Sequence, residues 1–150
     1  KVYIMFSAKN CQIKLYDDDI VNYVSFGYGK KNLLLIPGLN TERIKGKALQ
    51  LAFFYRNFLR EYKVFIFDHK EHINENYEIS DMVEEIAYCI KKLNIDCIIP
   101  IPIHKKRLKQ RGYNQAEILA AYLSEYLKIN LENFLLFIFI ITIFYKHILH

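Results

Sequence analysis

Three short, continuous apolar runs constrain the fold of this chain more than any other feature. They are LLLIP at residues 33–37, KVFIFDH at 63–69 and CIIPIPI at 97–103. Runs of this length and character are typical of strands buried on both faces of a parallel sheet. Because parallel strands need long crossover connections, the segments between the runs are predicted to be helices. The pattern therefore predicts an α/β fold with a parallel-sheet core and flanking helices.

The segments between the runs have helical periodicity. Apolar residues recur every three or four positions across residues 43–62, and again across 82–93 after a capping residue at Ser80. A third amphipathic segment follows Asn114, which has the capping-box spacing with Glu117. We expect the first two helices on opposite faces of the sheet. The third is expected to turn these apolar side chains inward: Ile118, Leu119, Tyr122, Leu123, Tyr126 and Leu127.

Two β-rich runs precede the first apolar run. CQIKLY at residues 11–16 and IVNYVSFG at 20–27 are separated by three aspartates, whose side chains favour turns. This pattern predicts an N-terminal β-hairpin beside the sheet. Because 53% of the 150 residues are hydrophobic, the chain has enough apolar side chains for a core of ordinary domain size.

The cysteines indicate a reducing environment. Cys11, Cys89 and Cys97 are odd in number and form no C-x-x-C pair, so neither a disulfide framework nor a metal site is predicted. No cofactor is predicted from any other motif. The first ten residues, KVYIMFSAKN, lack the pattern of a signal peptide. We therefore expect a cytoplasmic protein.

The order of elements in the first part of the chain resembles a known enzyme family. A hairpin, the strand LLLIPGL with its Pro-Gly turn, a helix, the strand KVFIFDH and a helix introduced by YEISDMVEEI follow one another. Over residues 11–95 this order resembles the N-terminal half of an α/β-hydrolase, so we expect a truncated α/β-hydrolase-like fold. The resemblance implies that the turn Gly38, Leu39 and Asn40 supplies a backbone N–H group to an oxyanion hole.

The nucleophile that the α/β-hydrolase resemblance requires is missing from the sequence. In that family the next strand runs into a G-x-S-x-G turn that presents the catalytic serine. This chain instead reads IPIPIHKK, with neither a Ser, Cys or Asp nucleophile nor flanking glycines. His104 lies there beside cations, which disfavour its protonated form, and it has no nucleophile to activate. We predict no catalytic residue and expect His104 to be a surface histidine.

The segment 97–131 has a resemblance of its own. A strand ending in P-x-P is followed by a basic cluster and then by RGYNQAE, which opens a helix. This order resembles the ComF-type amidophosphoribosyltransferase family. The resemblance implies stabilisation of a diphosphate by cations and by N–H groups at a helix N-terminus. The candidate anion-binding residues are Lys105, Lys106, Arg107, Arg111, Gly112, Asn114 and Gln115. The alternative is a solvated basic loop.

The chain is therefore predicted to have three parts. Residues 1–95 are α/β-hydrolase-like, residues 96–131 are a phosphoribosyltransferase-like strand, loop and helix, and residues 132–150 are an apolar, non-native tail. The twelve apolar-dominated residues 134–145 would span only about 18 Å as a helix, short of the roughly 30 Å hydrocarbon core of a bilayer. We expect this tail to self-associate and do not expect a membrane partner.

Taken together, the two resemblances predict a chimera without enzymatic activity. The hydrolase part lacks its nucleophile turn, and residues after 131 lack the acidic pair and T-T-G-type loop that hold a ribose phosphate. Three alternatives stay open: a diphosphate-binding relative of the transferases, an esterase or lipase relative, and a frameshift or assembly product in place of a true fusion. A phosphate or diphosphate partner is expected, and a nucleic-acid partner is not.

Overall fold

A computed structural model of the protein describes residues 6–37, 43–102 and 105–132. Its strands are β1 (Lys9–Lys14), β2 (Ile20–Phe26), β3 (Lys31–Ile36), β4 (Tyr62–Lys70), β5 (Cys97–Pro100) and β6 (Asn130–Leu131). Its helices are α1 (Ala48–Phe54), α2 (Ile79–Lys92), α3 (Lys105–Arg111) and α4 (Gln115–Leu127), with a 3₁₀ turn at Arg56–Phe58.

The strands form one sheet in the order β1-β2-β4-β3-β5-β6. The pairs β1–β2 and β2–β4 are antiparallel, whereas β4, β3, β5 and β6 run parallel to one another. Leu33 is opposite Val64 on one side and opposite Cys97 on the other, so the three predicted apolar runs are neighbours. The predicted parallel core and the predicted N-terminal hairpin are both confirmed.

The core lies on both faces of the central strand β3. Leu33 and Leu35 face the side covered by α1, whereas Leu34 and Ile36 face the side covered by α2 and α4. All four side chains are at most 2% exposed. The continuous apolar run of β3 is thus explained by burial on two sides. The expected placement of the first two helices on opposite faces is confirmed.

The first predicted helix is shorter in the structure than in the sequence pattern. Instead of spanning residues 43–62, α1 ends at Phe54, and a 3₁₀ turn and further turns lead to β4. The chain must turn here because it passes directly against the β2–β3 connection. A Cβ atom on Gly29 would lie only 2.0 Å from the backbone of Glu61. Phe58 and Leu59 are buried, as the apolar periodicity predicted, but they lie in the 3₁₀ turn and at its end instead of in an α-helix.

The starts of α2 and α4 differ in how well the sequence predicted them. Glu78, not Ser80, caps α2, and its side chain forms a capping box with Asp81. Asn114 caps α4 as predicted, because its side chain accepts a hydrogen bond from the N–H group of Ala116. None of the helices in the described ranges is long and apolar enough to cross a bilayer.

Only part of the predicted apolar face of α4 is buried. Leu119 and Leu123 pack in the core, together with Ala116 and Ala120. Leu127 is partly buried against the same core, as predicted. The expectation that the other three side chains point inward was wrong: Ile118, Tyr122 and Tyr126 are 59%, 55% and 64% exposed. The reason is geometric, because α4 covers β5 and the two-residue β6 with one narrow face, and the wider apolar stripe extends beyond the sheet.

We expect Ile98→Asp to lower the free energy of unfolding by about 3–5 kcal/mol, because it places an unpaired carboxylate in the core. Ile98 is 0% exposed in β5, between β3 and β6. Urea denaturation measures the change. The matched control is Ile73→Asp, at a side chain 47% exposed, which should change stability by no more than about 0.5 kcal/mol. Equal midpoints for the two variants would contradict the placement of β5.

Candidate functional site

The candidate site lies at the edge of the sheet where the parallel strands end. In open α/β sheets, ligands bind outside the carboxyl ends of the strands. Here β3 ends at Ile36, β4 at Lys70 and β5 at Pro100, and the three strands are adjacent. The predicted oxyanion turn follows β3 and the predicted basic segment follows β5. Both predicted sites therefore begin at one edge of the sheet.

Asp68 at the end of β4 fixes the connection between β3 and α1. Its carboxylate accepts hydrogen bonds from the N–H group of Ile44 at 3.1 Å to either oxygen and from the N–H group of Lys45 at 3.1 Å. The Arg43 guanidinium donates to the carbonyl of His69 at 2.8 Å. Residues 43–45 belong to the connection between β3 and α1. The part of this connection that precedes α1 is therefore tied to the end of β4.

The first end of this connection is also held. The backbone N–H group of Ile101 donates to the carbonyl of Ile36 at 2.8 Å, which continues the pairing of β3 with β5. The turn Gly38, Leu39 and Asn40 itself lies outside the described residues, as does His104. The oxyanion role of this turn stays a prediction. Sequence analysis missed Asp68 as an anchor, although its position directly after an apolar run was a usable signal.

A second polar contact joins the hairpin to the same edge. Glu71 accepts a hydrogen bond from the side-chain amide of Asn22 at 2.8 Å and pairs with Lys45 at 3.0 Å. These two contacts lower the pKa of the Glu71 carboxyl, with the bond from Asn22 as the larger cause. Asn22 is 4% exposed and also accepts from Gln12. The end of β4 is thus connected both to β2 and to the residues that precede α1.

A buried ion pair lies beneath the first turns of α2. Glu85 is 4% exposed, and its carboxylate pairs with the Lys70 ammonium at 3.1 Å and accepts a hydrogen bond from the Tyr77 hydroxyl at 2.8 Å. The bond to Glu85 raises the pKa of Lys70. Burial, followed by the bond to Glu85, raises the pKa of Tyr77 far above its ordinary value. Each ionised group is therefore paired, as a buried charge requires.

A small cavity lies beside Glu85 at the carboxyl edge of the sheet. It has a volume of about 40 Å³ and is lined by Pro37, Asp68, His69 and Glu85, among other residues. This volume is large enough for a water molecule and far too small for an organic substrate. Any substrate would therefore lie above the strand ends and outside this cavity.

The basic residues after β5 form a helix where the sequence predicted a loop. Lys105, Lys106, Arg107 and Arg111 all lie on α3, every residue of which is exposed. Gly112 follows with a φ of +78° and open space around it, which joins α3 to the start of α4. The structure thus brings the candidate cations together directly before α4. Their role in binding an anion stays a prediction.

Two polar members of this candidate set are engaged within the protein. Asn114 is 4% exposed; its amide donates to the carbonyl of Ile101 at 3.3 Å and its oxygen accepts from Ala116 at 3.1 Å. The side-chain oxygen of Gln115 accepts from Arg111 at 3.3 Å. Asn114 therefore acts as the link between the end of β5 and the start of α4.

The described residues supply no activated thiol at this edge. Burial raises the pKa of Cys89 and that of Cys97 to about 12, so both thiols are protonated and inert near neutral pH. Ser25 is buried within β2, and the Ser124 hydroxyl donates to the carbonyl of Ile129 at the end of α4. Among the described residues, no three His, Cys, Asp or Glu side chains are grouped so that they could hold a metal ion.

The order β1-β2-β4-β3-β5-β6, with α1 on one face and α2 and α4 on the other, defines an α/β-hydrolase-like sheet. Solved hydrolases have similar structures. Epoxide hydrolase CorEH is 13% identical, with a TM-score of 0.54 over 83% of this chain and 40% of that protein. Epoxide hydrolase VrEH1 from Vigna radiata is 15% identical, with a TM-score of 0.51 over 77% of this chain and 35% of that protein.

A hydrolase from Pseudomonas aeruginosa PA01 is 12% identical, with a TM-score of 0.50 over 71% of this chain and 43% of that protein. The chain thus spans between 35% and 43% of the length of these three structures. At such low identity the similarity shows the fold alone. No protein-family model matches the sequence. No curated protein matches it either.

The comparisons also bear on the predicted junction near residue 95. Residues 1–95 make up less than two thirds of the 150, so a match to 83% of the chain must extend past the junction. The hydrolase-like fold is therefore not confined to residues 1–95. The resemblance of residues 97–131 to the ComF-type family gains no support from these structures.

We expect Asp68→Ala to lower the free energy of unfolding by about 2 kcal/mol, because the partly buried N–H group of Ile44 and the exposed N–H group of Lys45 lose a charged acceptor. The matched control is Glu125→Ala. The Glu125 side chain is exposed on α4, so its loss should change stability by no more than about 0.5 kcal/mol. Denaturant titration of both variants gives the comparison. Equal effects would show that Asp68 does not anchor the connection.

Proposed function

We propose that this protein is a relative of α/β-hydrolases of the esterase or lipase kind, and that these 150 residues have no hydrolytic activity of their own. The observation that carries the proposal is the Asp68 anchor at the carboxyl edge of a sheet with hydrolase strand order. In this proposal, residues 6–100 form the side of the active-site scaffold that stabilises an oxyanion.

The anchored connection suits this role for a physical reason. An oxyanion is stabilised by N–H donors that are already fixed before the reaction, because little energy is then spent on orienting them. The connection after β3 is held at Ile36 by β5 and at residues 43–45 by Asp68. We assign the oxyanion donors to the turn Gly38, Leu39 and Asn40 between these two anchors.

The end of β5 explains why no hydrolysis is expected. A nucleophile turn needs glycines beside the nucleophile and a strained, exposed backbone. At this point the chain has Pro100 and Pro102, and Ile101 uses both backbone groups: its N–H donates to Ile36 and its carbonyl accepts from Asn114. The backbone of Ile101 is therefore committed to β3 and to Asn114, and the sequence after it has no glycine beside a nucleophile.

We propose a chimeric origin for β5 and the segment after it, which stand where a hydrolase has its nucleophile turn. The apolar run of β5 pairs with β3 through Leu33 opposite Cys97 and Leu34 opposite Ile98, and any apolar strand of the same length satisfies this pairing. A strand from another gene is thus accepted by the sheet while the nucleophile turn is lost. Uninterrupted genomic reads across codons 94–97 would support a true fusion over a frameshift.

The proposal is tested with a fluorophosphonate probe on the purified 150-residue chain. The chain contains four serines, Ser7, Ser25, Ser80 and Ser124, and the control variant has all four replaced by Ala. We expect equal background labelling of both proteins and no hydrolysis of p-nitrophenyl acetate above that of the control. Labelling of the wild type above the control would reveal a serine nucleophile and overturn the proposal of inactivity.

A second candidate function is the binding of a phosphate or diphosphate anion at α3. The observation that favours it is the charge of α3, which has five cations and no acid among seven exposed residues. The open backbone at Gly112 leaves room for an anion beside the helix. Phosphoribosyl transfer is not proposed, because the sequence after residue 131 has no acidic pair or T-T-G-type loop.

We expect pyrophosphate to bind at low ionic strength with a dissociation constant of roughly 10⁻⁴–10⁻³ M, since charge-assisted bonds are offset by the ordering of long side chains. Calorimetric titration measures it. The variant Arg107→Ala/Arg111→Ala should lose the heat of binding. The control Lys9→Ala/Lys30→Ala removes the same charge from exposed sites elsewhere and should keep it. Equal heats in both variants would rule out a site at α3.

A further inference from the structure

An open groove separates α2 from α4 on the outer face of the molecule. Its volume is about 860 Å³. The wall formed by α2 presents Ile79, Val83 and Ala87, which are spaced by four residues. The opposite wall is the stripe of α4 that the core leaves exposed, and it consists of Ile118, Tyr122 and Tyr126. We call this feature the α2–α4 groove.

The α2–α4 groove is unusually apolar for a protein surface. Six of its lining residues are large hydrophobic side chains that are between 48% and 66% exposed. Together they present on the order of 700 Å² of side-chain surface, close to the about 800 Å² per partner of a standard interface. These residues are Tyr16, Ile79, Tyr113, Ile118, Tyr122 and Tyr126. A continuous patch of this size marks an interaction surface.

The shape of the groove favours a macromolecule over a small ligand. Small-molecule sites enclose most of the ligand surface, whereas this groove is open and its rim residues Ile79, Ile118 and Tyr126 are each more than half exposed. Its tyrosines suit a protein partner, because tyrosine is enriched in the cores of protein interfaces. Tyr122 and Tyr126 already stack on one another, with ring centroids 6.0 Å apart, so little side-chain entropy remains to be lost on association.

The two walls carry opposite charges at the same end of the groove. At the start of α2, residues 75–84 contain four carboxylates and no cation. At the start of α4, the preceding helix α3 contains five cations and no carboxylate. Arg111 on α3 donates to Gln115, which lines the groove, so this cation lies at the edge of the groove. Both helices start near the carboxyl edge of the sheet, because α2 follows β4 and α4 follows β5.

We propose that the α2–α4 groove is the interface of a symmetric homodimer. A two-fold axis that runs along the groove places the α2 wall of each copy against the α4 wall of the other. The acidic start of α2 then meets the basic α3 of the second copy at two equivalent places, and the apolar stripes meet along the middle. A nucleic acid fits this surface less well, since the acidic wall repels its phosphates.

The first test is the association state of the complete 150-residue chain in sedimentation equilibrium. We expect a reversible dimer, and we expect Ile118→Ser to weaken association at least tenfold. The matched control Ile73→Ser removes an exposed isoleucine outside the groove and should leave association unchanged. A monomeric wild type, or equal effects of the two variants, would overturn the proposal.

A second test uses charge reversal to distinguish association through the α2–α4 groove from association through other surfaces. One variant carries Lys105→Glu, Arg107→Glu and Arg111→Glu, which leaves two cations and three carboxylates on α3. The other carries Glu75→Lys, Glu78→Gln and Glu84→Lys, which leaves two cations and one carboxylate at the start of α2 and keeps a side-chain oxygen to cap the helix. Each alone should be monomeric, because like charges then meet at both places. Mixed in equal amounts, the two should form a heterodimer, since every contact again joins opposite charges.

The mixing experiment also identifies competing causes of association. Self-association through the apolar residues 134–145 would persist in both reversed variants, and that result would overturn the proposal. Two monomeric variants that fail to associate when mixed would overturn it as well. If each variant alone is monomeric and the mixture forms a heterodimer, the acidic wall of one copy must contact the basic wall of the other.

Discussion

The structure depends on the pairing of three apolar strands, β4, β3 and β5. The central strand β3 is hydrogen-bonded on both sides and buried on both faces, so its four consecutive apolar residues have no contact with solvent. Every other element is positioned by this unit. The helices cover its two faces, the hairpin extends it through β2, and the candidate site lies where its strands end.

The strand core and the helix faces could be predicted from sequence because burial has a local signature. Continuous apolar runs identified the strands, and the cap at Asn114 was predicted from its side-chain chemistry. The length of α1 could not be predicted, because the approach of Glu61 to Gly29 is a contact between distant parts of the chain. The exposed stripe of α4 was mispredicted for a related reason: periodicity shows that a face is apolar, but not that the protein has a surface to cover it.

The location of the predicted oxyanion turn stays a prediction, because Gly38, Leu39 and Asn40 lie outside the described residues. The apolar runs predicted neighbouring parallel strands, whereas the Asp68 anchor could not be predicted because it joins β4 to residues 44 and 45, which are distant in sequence. Burial between β3 and β6 selects an apolar strand of the right length, so β5 satisfies the packing of a hydrolase sheet whatever its origin.

The prolines of β5 also determine how the sheet ends. Ile101 donates to β3, and Ile98 accepts from Glu132 on the opposite side, so backbone groups at 98, 100 and 102 face the outer edge. Two of these three positions are Pro100 and Pro102, which have no N–H group. Beyond the two residues of β6, the outer edge therefore offers few donors to another strand. Within the part of the chain that the structure describes, these prolines thus disfavour growth of the sheet by strand addition along this side of β5.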